Sequence, residues 1–581
     1  MKDNPLLPFI CLRPVMTSFP YREITVLSAV SSYAIAVYWS SDNIEFDYIT
    51  TFSLTWIFCF IYWAVWKVIL YPKFFSPLRH FPSPKGASWW NGHYSAIATN
   101  PTGYPMIEWV NSVPNQGIIR YLGIFNSERL LITSPNALKE VLTTKSYDFK
   151  KPSRVFRALS RLLGVGLILA EGDEHKRQRK NLMPAFSFRH IKNLYPLFWK
   201  KSIEVTEAMT AEVRAGGLKY DDLPEFQKEV TPRPSSSKSD TVIEVSDWAS
   251  RATLDIIGIA SFGRDFNAIR DPNTSLNKTY RKVFKPSRQA QILGLLNLFF
   301  PGWIVKKIPI SRNGEIEAAA AVIRDTCRSM IRLKKEKLQS KQLNDPDILS
   351  IALESGDFTE ENLIDQMMTF LAAGHETTSN ALTWAVYLLS LHPSCQTRLR
   401  AEIRANLPKL NPIELIDSSQ IDNLRYLNAV CNEVLRYYPP VSLTMRVAAH
   451  ETTILGHRVP KDVTIIVSPW AVNRSKELWG PDVNKFNPER WLPSVTNPHP
   501  ADGGATSNYS FLTFIHGPRS CIGQKFSKGE LACLLATWVG RFEFELNDKR
   551  EIKEENLQIM GGLTVKPGKG LFMKTKIVDG W

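Results

Sequence analysis

What the chain is short of narrows the field first. Its 581 residues hold seven cysteines, Cys11, Cys59, Cys327, Cys395, Cys431, Cys521 and Cys533. They are odd in number, dispersed and without a C-x-x-C spacing, which argues against a disulfide framework, a zinc ribbon and a four-cysteine iron–sulfur site. No repeat of solenoid period is present. No P-loop or flavin domain is visible, and GVGLIL, Gly164 to Leu169, imitates a dinucleotide loop but lacks the third glycine. Acidic residues are the scarcer sign, 56 against 71 basic ones, leaving a net charge of +15. That excess suits nucleic acid, anionic lipid or an acidic protein, or is simply a basic surface. Nucleic acid fares worst, because the basic residues are scattered and a bilayer span lies near the N-terminus. Hydrophobic residues at 44% and charged residues at 22% argue against both a wholly disordered chain and a polytopic transporter.

What is present begins with membrane material. Ile49 to Trp66 carries no charge, and the apolar character continues to Leu70. About 20 residues at ~1.5 Å each reach the ~30 Å of a bilayer core, which predicts a transmembrane helix over 49–70. A second uncharged stretch, Ile24 to Trp39, has 16 residues and includes Ser28, Ser31 and Ser32, making it a marginal second span or a buried helix. Lys67, Lys73, Arg79 and Lys85 follow the strong span and Asp42, Glu45 and Asp47 precede it, so the downstream mass is expected in the cytosol. The apolar run is too deep and too long for a cleavable signal peptide, and the sequons at Asn273 and Asn508 are expected to stay unmodified. Pro77, Pro82 and Pro84 stop the helix and predict a stiff hinge. The expected organisation is an anchor over 1–72, a proline-rich hinge over 73–86 and a catalytic domain over 87–581. Pro232 to Asp240, PRPSSSKSD, reads as a surface insertion. Helical periodicity is clearest over Glu360–Leu391 and Tyr426–Tyr437, and β-rich runs at Val463–Val467 and Phe542–Leu546 predict small sheets. The fold class is therefore mainly α with small β-sheets.

Cys521 lies in FIHGPRSCIG, just before a segment with the pattern of a buried helix. Unpaired N–H groups and the dipole at a helix N-terminus favour a thiolate there. Gly517 and Gly523 let backbone approach whatever the sulfur holds, and Phe514 can shield it. Cys533, inside the apolar helix, reads instead as a buried structural cysteine. The joint pattern F-x-x-G-x-R-x-C-x-G resembles the haem-binding loop of the cytochrome P450 family. The resemblance implies that Cys521 is the axial ligand of haem b iron, favouring O–O cleavage, and that Arg519 meets a haem propionate.

The resemblance covers about Phe74 to Lys566 and extends to further motifs. Glu433 and Arg436, at i,i+3, share a helix face as an ion pair. They are followed by Pro439-Pro440, by Arg446, and by FNPERW, in the order the family shows. The resemblance makes Arg446 a haem contact and Arg490 the third member of a buried cluster with Glu433 and Arg436. In AAGHETTS, Ala372 to Ser379, a glycine inside a helix costs roughly 1 kcal/mol, so a reason for it is expected. Close helix packing is one reason. The functional reading is that Gly374 makes room beside the haem and that the Thr377 hydroxyl bonds back into the helix and opens a groove for dioxygen. Glu376 then relays protons and Thr377 donates a hydrogen bond where dioxygen is cleaved. Where the family often has tryptophan four residues before a propionate arginine, this chain has His175 and Arg179. Histidine still offers a ring N–H, and Arg179 suits a carboxylate. Lys176, Arg177 and Lys180 read as a solvated or partner-facing stripe.

By position in the family pattern, the substrate pocket draws on Ala373, Gly374, Val441, Leu443 and Met560. Their apolar character favours a lipophilic substrate such as a terpenoid, fatty acid, polyketide or sterol-like molecule, entering from the membrane. Leu295 to Trp303 reads either as a segment dipping into the interface or as internal packing. Electrons must come from another chain. The resemblance implies an NADPH-cytochrome reductase, with b-type cytochrome donors also compatible, and NADPH acts only through that partner. Lys525 and Lys528 suit an acidic donor protein. The hinge and the AAGHETTS region look most like membrane-bound enzymes of fungal secondary metabolism, on the endoplasmic reticulum and facing the cytosol. The expected activity is monooxygenation. A reductase-independent isomerase or dehydratase and a non-catalytic haem sensor are the alternatives.

Overall fold

The computed structural model describes residues 20–38, 47–231, 241–284, 288–299, 302–340, 347–410, 414–494 and 500–581. The PRPSSSKSD stretch lies outside the described residues. The chain divides into two compact units.

The first unit comprises the described residues of Met1–Thr99, Ser112–Lys150 and Met445–Val467. Helix α1 (Tyr21–Tyr38) packs on helix α2 (Tyr48–Val65), whose cap Asp47 accepts from Thr50 N at 2.9 Å. The two helices meet through Trp56 Nε1, which donates to Thr25 Oγ1 at 3.3 Å, with Ser28 and Ser32 buried on α1. Among the described residues only Tyr48–Phe75, which continues α2 as a π-helical stretch through Pro72, is long and apolar enough to cross a membrane.

The proline segment is not a free linker. Leu78 and Phe81 are buried, Arg120 N donates to Pro82 O at 2.9 Å, and the His93 ring bonds Pro84 O at 3.0 Å. The prolines do set extended backbone, but its apolar side chains find a surface to pack on. That surface includes strand β1 (Ile118–Leu122), antiparallel to β2 (Glu128–Ile132) with Ile118 opposite Ile132. Strands Thr464–Val467, Thr444–Ala448 and Phe149–Lys150 complete a five-stranded sheet in that order.

The second unit comprises the described residues of Asn100–Asn111, Lys151–Thr444 and Ser468–Trp581. Its centre is the long helix Glu360–Leu391, capped by Thr359, which accepts from Asn362 N at 3.2 Å, and ended before Pro393. Nearly all of its side chains beyond the first turn are buried, because it is apolar around its circumference and enclosed by helices Val245–Phe262, Arg425–Tyr437 and Gln524–Arg541. A three-stranded antiparallel sheet, Val242–Glu244, Phe572–Ile577 and Phe542–Leu546, and the hairpin Ile559–Gly561 with Val565–Pro567 are the small β elements. The expected helix over 360–391 and strand over 542–546 appear with those bounds. The 295–303 segment falls on helices Arg288–Phe299 and Gly302–Lys307, with Phe300 and Pro301 outside the described residues.

Candidate active site

Cys521 stands at the end of a tight loop, two residues before Gly523, which caps the helix Gln524–Arg541. The loop closes where Cys521 N donates to Phe514 O at 2.8 Å, with Ile515 at φ 58° and Gly517 at φ 77°. Glycine suits the second position, whereas Ile515 holds a conformation that β-branched residues rarely adopt. The sulfur-bearing residue keeps accessible surface, yet it sits deep enough for burial to push its thiol above the ordinary 9.0. The Gly523 backbone hydrogen bond and the Arg179 charge pull the other way. Burial and the helix N-terminus thus act in opposite directions on the Cys521 thiol. A metal bound there would hold the sulfur as thiolate, since a ligating thiol is deprotonated outright. Cys533 is fully buried, as a structural cysteine should be.

Beside the loop lies a cationic cluster. Arg179 donates from Nη1 to Ser520 O at 2.7 Å and from Nη2 to Ser520 Oγ at 3.2 Å. Arg519 pairs with Glu171, which also accepts from Lys151 N at 2.9 Å and from Lys151 Nζ at 3.3 Å. Burial alone would raise the Glu171 pKa, but Lys151 and Arg519 hold it below the ordinary value. His175 is buried and pushed down to about 4, by burial first and then by the Arg519, Lys151 and Arg179 charges, so its ring is neutral at pH 7. The donor set fits an iron porphyrin: an accessible sulfur, two glycines in its loop, and two arginines and a lysine against a single carboxylate. Lys176 and Arg177 pair with Asp173 and Glu174 on their own helix at 2.8 and 2.7 Å, as a solvated stripe does. Arg446 is buried in the first unit and donates to Met445 O at 2.9 Å.

Behind the loop, Glu433 and Arg436 are both fully buried and joined by two bonds of 2.8 Å, and Arg490 Nε reaches Glu433 at 3.2 Å. Asn473, which the sequence did not flag, ties this cluster to the loop. It receives Leu512 N at 2.8 Å, donates to Thr513 Oγ1 at 2.9 Å, and donates to Arg436 O at 3.2 Å. Lys528 turns inward, donating to Asn432 at 2.8 Å under the rings of Phe511 and Phe514, while Lys525 is exposed.

On the long helix, Thr377 Oγ1 donates to Ala373 O at 2.6 Å, the back-bond that its position predicted. The helix nonetheless runs as α-helix without a break from Glu360 to Leu391. Gly374 faces the neighbouring helix: a Cβ there would fall 2.7 Å from Ile257 Cδ1, so close helix approach is what glycine provides at this position. Glu376 is buried, with Oε1 accepting from Lys566 Nζ at 2.9 Å and Thr564 Oγ1 at 3.0 Å. Its Oε2 has no partner among the described residues. Burial raises the Glu376 pKa, and Lys566 and Thr564 oppose the rise. Neither Lys566 nor Thr564 was legible as its partner, because both come from the 559–567 hairpin region about 190 residues on. Val441 and Leu443 are half-buried, and Met560 folds over Gly568.

A family model described as Cytochrome P450 matches residues 82–572. The cytochrome P450 monooxygenase sphH of Aspergillus fumigatus is 44% identical over 89% of this chain and 91% of its own length. The cytochrome P450 monooxygenase ALT8 of Alternaria alternata is 41% identical over 95% and 99%. FUM15 of Gibberella moniliformis, another cytochrome P450 monooxygenase, is 43% identical over 88% and 90%. With the sulfur loop, the cationic cluster and the buried acid beside a threonine already in place, these matches show that the chain belongs to the cytochrome P450 family of haem-thiolate monooxygenases.

Proposed function

We propose that this monooxygenase oxidises a lipophilic small molecule of terpenoid, polyketide, fatty-acid or sterol-like class, in fungal secondary metabolism. NADPH acts through a separate reductase. Its catalytic mass faces the cytosol at the endoplasmic reticulum, held by the anchor at Tyr48–Phe75. Cys521 would hold the iron, and Arg179, Arg519 and His175 would meet the propionates. Bound there, haem supplies dioxygen binding and reduction.

The observation that carries the reading is the half-tied carboxyl beside Thr377. Lys566 and Thr564 fix Glu376 Oε1, leaving Oε2 as the atom that can take a proton from water and pass it on. In this arrangement Thr377 rests against Ala373 O, and rotation of its hydroxyl away from that oxygen would let it donate a hydrogen bond at the site. Half-buried Ala373, Val441, Leu443 and Met560 would orient an apolar substrate by shape.

The test is turnover with reductase and NADPH in microsomes carrying Thr377→Ala or Glu376→Gln. Both variants should retain haem while losing roughly 10²-fold or more in product per NADPH, with hydrogen peroxide accumulating instead. Full coupling in both would contradict the relay. Product without NADPH would favour a reductase-independent isomerase or dehydratase.

A further inference from the structure

A single hairpin carries both a candidate pocket residue and the partner of the buried acid. Its strands, Ile559–Gly561 and Val565–Pro567, run antiparallel, and Met560 stands directly opposite Lys566. Opposed residues of such a pair send their side chains to the same face. Lys566 Nζ donates to Glu376 Oε1 at 2.9 Å, and buried Thr564, two residues earlier, donates to the same oxygen at 3.0 Å.

The hairpin is fastened to the long helix around Val565. Trp384 Nε1 donates to Val565 O at 2.9 Å, and Asn380 Nδ2 donates to Thr564 Oγ1 at 3.1 Å. Val565 N donates to Pro440 O at 2.8 Å, next to Val441. The opposite strand has little slack. A Cβ at Gly561 would fall 2.5 Å from Thr102 N, and one at Gly568 would fall 2.3 Å from Met560 Cγ. Packing this close passes a displacement on instead of absorbing it, so a push on Met560 reaches the strand that carries Lys566.

Among the described residues, Lys566 is the charged group that faces Glu376. His375, beside it on the helix, is neutral at pH 7, since burial and the Lys566 charge push it down to about 3. Glu530, from the helix Gln524–Arg541, meets the long helix at Thr378. Without Lys566, burial would act on Glu376 with Thr564 alone opposing it.

We propose that Lys566 is a positioning residue for proton delivery, and that the 559–567 hairpin transmits contact at Met560 to the Lys566–Glu376 tie, linking proton delivery to an occupied pocket. The inference rests on the reading of Glu376 as the relay acid and of Met560 as a pocket residue.

The test follows the carboxyl stretching band of Glu376 by infrared difference spectroscopy through a pH titration of the full-length haem-loaded chain. The band is assigned as the one that Glu376→Gln removes. Lys566→Met should raise its midpoint by roughly 1–3 pH units, and Lys566→Arg should keep it near that of the unaltered chain. Gly568→Ala, whose new methyl meets Met560 and Gln558 O, should also raise the midpoint, and Met560→Ala in the same chain should bring it back. Met560→Phe loads the same strand more gently and should act in the same direction. With reductase and NADPH, hydrogen peroxide per NADPH should rise in Lys566→Met and stay low in Lys566→Arg. An unshifted midpoint in Lys566→Met would overturn the positioning role. A shift in Lys566→Met with none in Gly568→Ala or Met560→Phe would overturn the transmission through the hairpin. If Glu376→Gln removes no titrating band, the relay reading itself fails, and the inference with it.

Discussion

Behind the sulfur loop every oxygen of Glu433 has more than one donor. Oε1 receives Arg436, Asn487 N and Arg490, and Oε2 receives Arg436 and Trp491. In the middle of the long helix the pattern inverts. Among the described residues, Glu376 Oε2 and His375 Nδ1 are buried without a partner. Against that helix lies Glu530, whose carboxyl approaches Thr378 outside full hydrogen-bond geometry, and burial pushes its pKa well above the ordinary value. Buried polar groups are ordinarily satisfied, and a satisfied network fixes one arrangement. The Glu433 cluster therefore specifies shape. On the proposed reading, the unpartnered Glu376 Oε2 of the long helix is instead the atom left available to move a proton.

That contrast can be broken at its structural end first. Arg436→Ala leaves the buried Glu433 with too little compensating charge and should cost about 3–5 kcal/mol, read as a lowered denaturant midpoint together with loss of bound haem. Unchanged stability would mean the cluster does not specify the fold. Next, Gly374→Ala should cost about 1–3 kcal/mol by overpacking against Ile257, and Ile257→Ala in the same chain should recover most of it. A stable Gly374→Ala chain with impaired turnover would instead give that glycine a role at the pocket.

The smallest effect is a pH slope. His375 bonds Ser250 at 2.8 Å and is pushed down to about 3, by burial and then by the Lys566 charge. Its folded pKa lies below the ordinary 6.5, so between these values the unfolded chain binds the extra proton. Its contribution to stability is complete above pH 6.5 and declines as pH falls toward 3. His375→Gln should flatten that slope by up to ~1.4 kcal/mol per pH unit, measured as denaturant midpoints at neutral and mildly acid pH. An equal slope in the variant would place the acid sensitivity elsewhere.

Features set by local spacing were legible before the structure. The long helix showed in its periodicity and its cap, and the Glu433–Arg436 pair in its three-residue offset. Features set by a balance of forces were not. The helix N-terminus near Cys521 reads as thiolate-favouring, and the opposing push of burial on that thiol is set by neighbours far along the chain. Prolines announce extended backbone without saying that Leu78 and Phe81 pack. A helical glycine has two uses, and only the nearness of Ile257 separates them. Asn473 and Lys566 act on partners far along the chain, and no local pattern marks them.

The sharpest measurement is the absorption spectrum of the reduced carbon monoxide complex for the full-length chain beside Cys521→Ser, both made with ample haem. The account predicts a thiolate-type spectrum that the substitution abolishes. A thiolate-type spectrum surviving in Cys521→Ser, or a nitrogen-ligated spectrum in the unaltered chain, would contradict it.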